Sequence, residues 1–321
     1  MEVEAVLNVE PRQAPDRVRP QRHRCPGCLL SLEAMAGPLR METCPSCRTV
    51  SAWPLPTLEE LAAYYNSDYS VVDAGLTPRA RRAWVPLLEE AERRVRGRRG
   101  LELGSSNGAF LRLASERGWE MAGVELDGRA RQQHRHRSPH IPAWETLAEA
   151  ASAGATMLDA VWILHTVEHL PGPEETLRDV LAMLAPGGVL AVTTPNGACL
   201  QRRMLGPLWE WWSPPGHLAL LSPAGARLML ERAGFEVLFL TTRRGDSAGA
   251  AANALLAPAR WWKRRRSGNQ QTSSARSPTR RIADLLNLGY DPVSLPLRLL
   301  AYRRLLGPEL LVVARRPRSE V

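Results

Sequence analysis

Long apolar runs are absent: no stretch of this 321-residue chain reaches the roughly eighteen residues that a membrane-spanning helix needs. No secretory leader is expected either, since the chain opens on acids, prolines and arginines where such a leader carries a positive end and an apolar run. A cytoplasmic protein is therefore expected. Acids are missing from one long segment, Arg260 to Arg281, which holds eight of the nine net positive charges, so the basicity is local and the remainder is close to neutral. Cysteine is scarce at five, too few for a disulfide scaffold in a chain of this length. What is present suffices for a full core, because 44% hydrophobic content over this length predicts one large domain with an appendage.

The cysteines are grouped. Four of them form Cys25-Pro-Gly-Cys28 and Cys44-Pro-Ser-Cys47, two CxxC pairs separated by fifteen residues, which is the spacing of a zinc ribbon. Each pair supplies two thiolates from one tight knuckle, and two knuckles close a tetrahedral site with no open position, so the expected role is a structural Zn2+. Leu29 and Arg48 stand where a glycine often follows the second cysteine. Cys199 is isolated and reads as a buried thiol without a role.

Residues 1–21 are rich in Pro and Arg and read as a flexible lead; the ribbon-like module takes 22–52, a helical segment 53–96, and the main domain 97–321. In the main domain the pattern alternates: a strand to Leu103, a helix over 107–117, strand 119–126, a helix from Gly128, strand 158–165, helix 173–184 and strand 187–194. A helix through 222–232, a strand after Gly234 and a terminal strand in "PELLVVAR" follow. Strands alternating with helices predict an α/β fold with a parallel sheet covered on both faces. A basic insertion at about 245–305 separates the last two strands.

In such a sheet the ligand lies beyond the carboxyl ends of the strands. The stretch "LELGSSNGAFL", residues 101–111, puts an acid at a strand end and a loop of small residues before a helix. Gly104 and Gly108 let the backbone turn tightly there. Glu125 follows Gly104 by twenty-one residues, the offset at which an acid commonly accepts from ribose hydroxyls. The loop lacks the G-x-G-x-x-G of a dinucleotide site, which argues against NAD.

Glu102-x-Gly104-x-x-x-Gly108, Glu125, "LDAVWILHTVEHLPGPEETLRDVLAMLAPGGVLAVTTPN" and "GHLALLSPAGARLMLERAGFEVL" together resemble class I S-adenosylmethionine-dependent methyltransferases. The likeness is to the group that includes ubiquinone-pathway O-methyltransferases and bacterial natural-product and sugar methyltransferases, some with a zinc-binding N-terminal region. It covers about 97–243 and the terminal strand. The resemblance implies a Rossmann-like seven-stranded sheet with its last strand antiparallel and S-adenosylmethionine across the first two strand ends. Glu102 and Gly104 would shape the methionine pocket, Ser106 stands at the middle glycine of the family's GxGxG, Gly108 would allow close approach, and Glu125 would bind the ribose.

A sulfonium methyl is already activated, so the protein has only to hold the nucleophile in a dry pocket and remove its proton. His165, Glu168 and His169 follow the fourth strand, and His217 lies in the Trp/Pro-rich "WWSPPGHLALLS" after the fifth, which could form a lid. The resemblance aligns His217 with the base of sugar C-methyltransferases, whose Tyr-His-Glu-His-Leu is here Pro214-Pro215-Gly216-His217-Leu218. His217 is thus the leading base and His169 a secondary polar contact, with His165 on the cofactor side. Tyr65 and Tyr69 are further candidates for the pocket. His134, His136 and His140 are expected on a surface helix among arginines.

"ARWWKRRRSG" in the insertion joins two tryptophans to a basic cluster, a composition suited to the inner face of a membrane or a lipid-linked substrate, to single-stranded nucleic acid, or to a solvated loop. The leading expectation is methyl transfer to a small-molecule acceptor (glycosyl, polyketide or quinone-like), at oxygen rather than carbon. An RNA methyltransferase gripping its substrate through ribbon and insertion, and a non-catalytic ribbon binding protein, are the alternatives. The RNA reading lacks the Asn/Asp-Pro-Pro-Tyr type of motif, since Thr194-Pro195-Asn196 is different.

Overall fold

In a computed structural model, residues 21–34, 39–57, 59–61, 64, 76–209, 211–243 and 305–318 are described. Tyr65, Tyr69 and nearly all of the basic insertion, including "ARWWKRRRSG", lie outside them. Among the described residues no helix is long and apolar enough to cross a membrane.

The ribbon comprises β1 (Gln21–Arg24), β2 (Ser31–Ala34), β3 (Arg40–Thr43) and β4 (Val50–Trp53). Thr57 and Glu60 then form a reciprocal capping box, Glu60 N–H donating to Thr57 Oγ1 at 3.1 Å and Thr57 N–H to Glu60 Oε2 at 2.7 Å. The helix α1 (Pro78–Glu92) starts on the Thr77 cap with Pro at its first position, and leads to the sheet.

The main domain runs β5 (Arg99–Leu103), α2 (Ala109–Glu116), β6 (Glu120–Val124), α3 (Gly128–Arg137), β7 (Ala143–Trp144), α4 (Leu147–Ser152), β8 (Leu158–Leu164), α5 (Pro173–Met183), β9 (Leu184–Pro195), α6 (Leu200–Leu205), β10 (Ala219–Leu220), α7 (Pro223–Arg232), β11 (Glu236–Arg243) and β12 (Glu309–Arg315). Seven of these strands make one sheet in the order β11-β12-β9-β8-β5-β6-β7, and β12 is antiparallel to both its neighbours. The expected seven-stranded sheet with an antiparallel last strand is what forms.

Alternation along β8 explains how both faces are filled. Val161 and Ile163 enter one apolar cluster with Leu177, Val180 and Met229, while Ala160 and Trp162 enter the other with Leu88, Phe110 and Leu113. Trp162 is fully buried, with Phe110 at 5.4 Å and Trp119 edge-on at 4.8 Å between ring centroids. Asp127 and Ser222 cap α3 and α7 by accepting from Arg129 N–H and Gly225 N–H.

The ribbon is built into this domain. The short strand β10 pairs antiparallel with β4, Leu220 opposite Val50 and Ala219 opposite Ser51, completing a three-stranded sheet. Ser222 Oγ donates to the Cys47 carbonyl, Ser222 N–H donates to Thr49 Oγ1 at 3.3 Å, and the Arg232 guanidinium donates to the Gly27 and Pro26 carbonyls at 2.6 and 3.0 Å.

Candidate active site

The carboxyl ends of β5 and β6 carry the first group of residues. Ser106 N–H donates to Glu125 Oε2 and Asp127 N–H to Glu125 Oε1, both at 2.8 Å, so Glu125 ties the loop after β5 to the loop after β6. Burial pushes the Glu125 carboxyl upward, against the two amides that favour its charged form. Glu102, 4% exposed, is pushed well above the carboxylate range by burial and then by the Glu125 charge, and its Oε2 has no hydrogen-bond partner. Burial therefore opposes the charged form of the acid at the end of β5.

Gly104 and Gly108 both have positive φ, 80° and 75°, which a side chain rarely adopts. Contacts within the protein also require these glycines: a Cβ at Gly104 would strike Thr166 Oγ1, and one at Gly108 would strike the His134 ring. His134, expected on the surface, is fully buried, with its Nε2–H donating to the Ile141 carbonyl at 2.9 Å. The reason is the short loop after α3, which folds Ile141 back over the helix's last turn. Ser106 takes φ 46° itself.

The second group follows β8 and meets β9, β10 and β12. His165, at φ 53°, lies between two carboxylates, Nδ1 3.4 Å from Glu168 and Nε2 3.4 Å from Glu309, with its ring stacked 5.3 Å from Trp211. Burial opposes its protonation, but Glu309 and Glu168 override burial and raise it to about 10, so it is an imidazolium at pH 7. Glu168 is fully buried and burial would raise it, yet the His165 cation holds it at about 2, and Thr194 Oγ1–H donates to it at 2.9 Å. Glu309 is likewise lowered against burial by His165 and then Arg243, its ion-pair partner.

His169 and His217 stand edge to face, ring centroids 4.8 Å apart. His169 Nδ1–H donates to the Gly216 carbonyl and His217 Nδ1–H to the Trp211 carbonyl, each at 2.7 Å. A carbonyl can only accept, so each Nδ1 carries a proton, and in a neutral ring the lone pair is then at Nε2. Burial, and then the His169 charge, lowers His217 to about 4, so it is neutral at pH 7.

Thus Glu102, Gly104, Ser106, Gly108 and Glu125 gather on the β5–β6 side, and His165, His169 and His217 gather around Glu168. The ring of His165 is committed to two carboxylates, so a contact with a cofactor falls to its main chain. Sequence reasoning missed Glu309, Trp211 and Thr194. Glu309 reaches the site because β12 is antiparallel, which sets the start of that strand opposite Pro195 at the end of β9. An acid opening the apolar "ELLVVAR" was the available signal.

In the ribbon, the Sγ atoms of Cys25 and Cys47 are 3.5 Å apart and those of Cys28 and Cys44 3.6 Å. Zinc–sulfur bonds of about 2.3 Å at tetrahedral angles require a separation of roughly 3.8 Å, so the four thiols fit such an ion closely. The knuckles are equivalent: Leu29 N–H donates to the Cys25 carbonyl at 2.8 Å and Arg48 N–H to the Cys44 carbonyl at 3.0 Å. Leu29 and Arg48 take φ 60° and 67°, the glycine-favouring conformation, without being glycine. Cys199 is buried and caps α6, its Sγ accepting from Arg202 N–H at 3.3 Å.

The sheet order and the antiparallel β12 define a Rossmann-like α/β protein. Residues 77–240, just over half of the chain, match the family model described as a methyltransferase domain, and the chain belongs to that family. Ubiquinone biosynthesis O-methyltransferase of Azoarcus sp. (strain BH72) is 30% identical over 105 residues, 31% of this chain and 45% of that one. A "probable S-adenosylmethionine-dependent methyltransferase" of Mycolicibacterium smegmatis is 30% identical over 145 residues, 45% of this chain and 54% of that one. The chain spans about half the length of these curated relatives. The Haemonchus contortus phosphoethanolamine N-methyltransferase 2, solved with S-adenosyl-L-methionine, shares the fold at a TM-score of 0.51 and 14% identity, covering 84% of this chain and 63% of that one.

Proposed function

We propose that this chain transfers the methyl group of S-adenosylmethionine to an oxygen of a small-molecule acceptor, glycosyl, polyketide or quinone-like. The position of Glu125 carries the reading. Its carboxylate sits at the end of the second strand of a methyltransferase-family sheet and holds the Ser106 amide at 2.8 Å. In this reading Glu125 meets the ribose, Glu102 and Gly104 bound the methionine end, and Ser106, Gly108 and the His165 main chain line the rest. The curated relatives named as ubiquinone O-methyltransferases support a small acceptor.

His217 is the proposed base, with His169 beside it as a polar contact. Its neutral Nε2 can take a proton, and its pKa of about 4 makes it a weak base. A hydroxyl oxygen becomes strongly acidic as it captures the methyl group, so a weak base suffices. An unactivated carbon must be deprotonated before it can attack, which needs a stronger base, and oxygen is favoured over such a carbon. The proposed role of Cys25, Cys28, Cys44 and Cys47 is to hold a structural Zn2+, with no part in the chemistry.

Titration calorimetry with S-adenosylhomocysteine tests the first half without knowledge of the acceptor. Micromolar binding lost in Glu125→Ala is expected; no binding by folded, zinc-loaded protein overturns the reading. With an acceptor in hand, His217→Ala lowers kcat by roughly 10²–10⁴-fold and leaves the S-adenosylhomocysteine affinity unchanged.

A further inference from the structure

A cavity of about 500 Å³ lies between the ribbon and the main domain. Neither His169 nor His217 lines it, but their chain neighbours Leu170 and Leu218 both do. The opposite wall comes from the ribbon, chiefly Trp53, whose indole is backed by the His23 ring at 4.1 Å and 10° from parallel. Leu29 and Leu55, also in the wall, are 38% and 48% exposed, so large apolar side chains stand in water at this cavity. This wall is fixed, because the β4–β10 pairing and the Arg232 bonds to Pro26 and Gly27 clamp the ribbon to the domain.

The charges around it are not equivalent. Glu174 is committed to Arg178 and Arg232. Glu175 sits in the first turn of α5, where the helix N-terminus stabilises a carboxylate. Arg24 lines the same cavity and makes no ion pair among the described residues. The size is that of a small-molecule site, with apolar and aromatic surface for a ring and one uncommitted guanidinium for an acid.

We infer that this cavity is a binding site for a flat, ring-bearing organic acid, and that the ribbon thereby forms the distal wall of the acceptor site. The ring packs on Trp53, Leu55, Leu170 and Leu218, and the acidic group pairs with Arg24. The inference that the bound acid is the acceptor rests on the methyltransferase reading; the existence of the site does not. Acceptor choice then lies in the ribbon, and the two histidines stand at the reacting end.

The test uses the full, zinc-loaded chain and 2-naphthoate as probe, with 2-naphthamide as its uncharged match, followed by saturation-transfer NMR and calorimetry. Naphthoate is expected to bind at least tenfold more tightly than the amide. Leu55→Glu, at an exposed position that folding tolerates, weakens naphthoate at least tenfold. Arg24→Gln removes the preference for acid over amide. S-adenosylhomocysteine affinity stays unchanged in both variants. Absence of naphthoate binding, or binding indifferent to both substitutions, overturns the proposal. Loss of S-adenosylhomocysteine binding alone would sink the enzyme reading and leave the cavity site standing.

Discussion

The same end of one sheet holds two groups of buried carboxylates that titrate in opposite directions. On the β5–β6 side, burial drives Glu102 and the half-buried Glu125 upward, opposed at Glu125 only by two backbone amides and the Arg131 charge. On the β8–β12 side, Glu168 and Glu309 are as deeply buried, 0% and 3% exposed, yet both are lowered, because His165 lies 3.4 Å from each. Depth alone therefore does not decide protonation; a cation within a few ångströms outweighs desolvation. The consequence is a division of labour. One side presents acids whose ionisation burial opposes, and the other is a closed array of fixed charges beside His169 and His217.

Removing the acids separately exposes that difference most sharply. Glu168→Gln strips a buried cation of half its compensation and should cost roughly 3–5 kcal/mol in denaturant unfolding. Glu102→Gln removes a carboxyl whose ionisation burial opposes and should raise stability at neutral pH rather than lower it. Equal losses from the two substitutions would show that burial, and not the His165 pairing, governs both.

Gly108→Ala is the next effect in size. The left-handed φ costs about 1–2 kcal/mol on its own, and the collision with His134 adds to that. Gly118→Ala, at φ 85° with nothing within 4 Å of the added carbon, should show the backbone cost alone. The double variant Gly108→Ala with His134→Ala should recover part of the gap, and a gap that survives it would mean the collision is elsewhere.

The pH dependence of unfolding is the smallest and most diagnostic signal. His165 has its pKa raised in the folded state, so its contribution is complete below about pH 6.5 and is lost as pH rises through about 10. Glu168 has its pKa lowered, so its contribution is present above about 4.5 and is lost as pH falls through about 2. Glu102 has the opposite sign: its raised folded pKa makes stability fall as pH climbs above about 4.5. The side chain of His165 keeps 27% of its exposure, so the alkaline loss should be on the order of 1–2 kcal/mol, and His165→Gln should flatten that limb.

Much of this was legible locally. Helix starts at Pro78, Gly128, Pro173 and Pro223 follow from cap chemistry, and the strand runs ending at Leu103, Val124 and Leu164 follow from apolar content. The cysteine knuckles were legible for the same reason, since each depends on four consecutive residues. Left-handed Leu29 and Arg48 were not, because the hydrogen bonds to the Cys25 and Cys44 carbonyls impose a conformation that the residue type disfavours. The two-residue strands β7 and β10 and the six-residue helices were too short for any periodicity to show.

The site was half legible. Gly104, Gly108 and Glu125 could be placed from spacing along one chain segment. That Glu125 holds Ser106, that His134 fills the space beside Gly108, and that Glu309 arrives from beyond the insertion all depend on strand order.

By itself the amino-acid sequence determined the succession of strands and helices, the acid-and-glycine loop and the two thiol knuckles, since these follow from neighbours within about one turn or one strand. Tertiary structure decided which acids are charged, which histidine is a cation and which keeps its lone pair, and that the ribbon closes a cavity beside them. Charge and burial are set by groups that the chain brings together from 26 to more than 140 residues away, as Glu168 with Thr194 and His165 with Glu309 illustrate. Such distances carry no local signal.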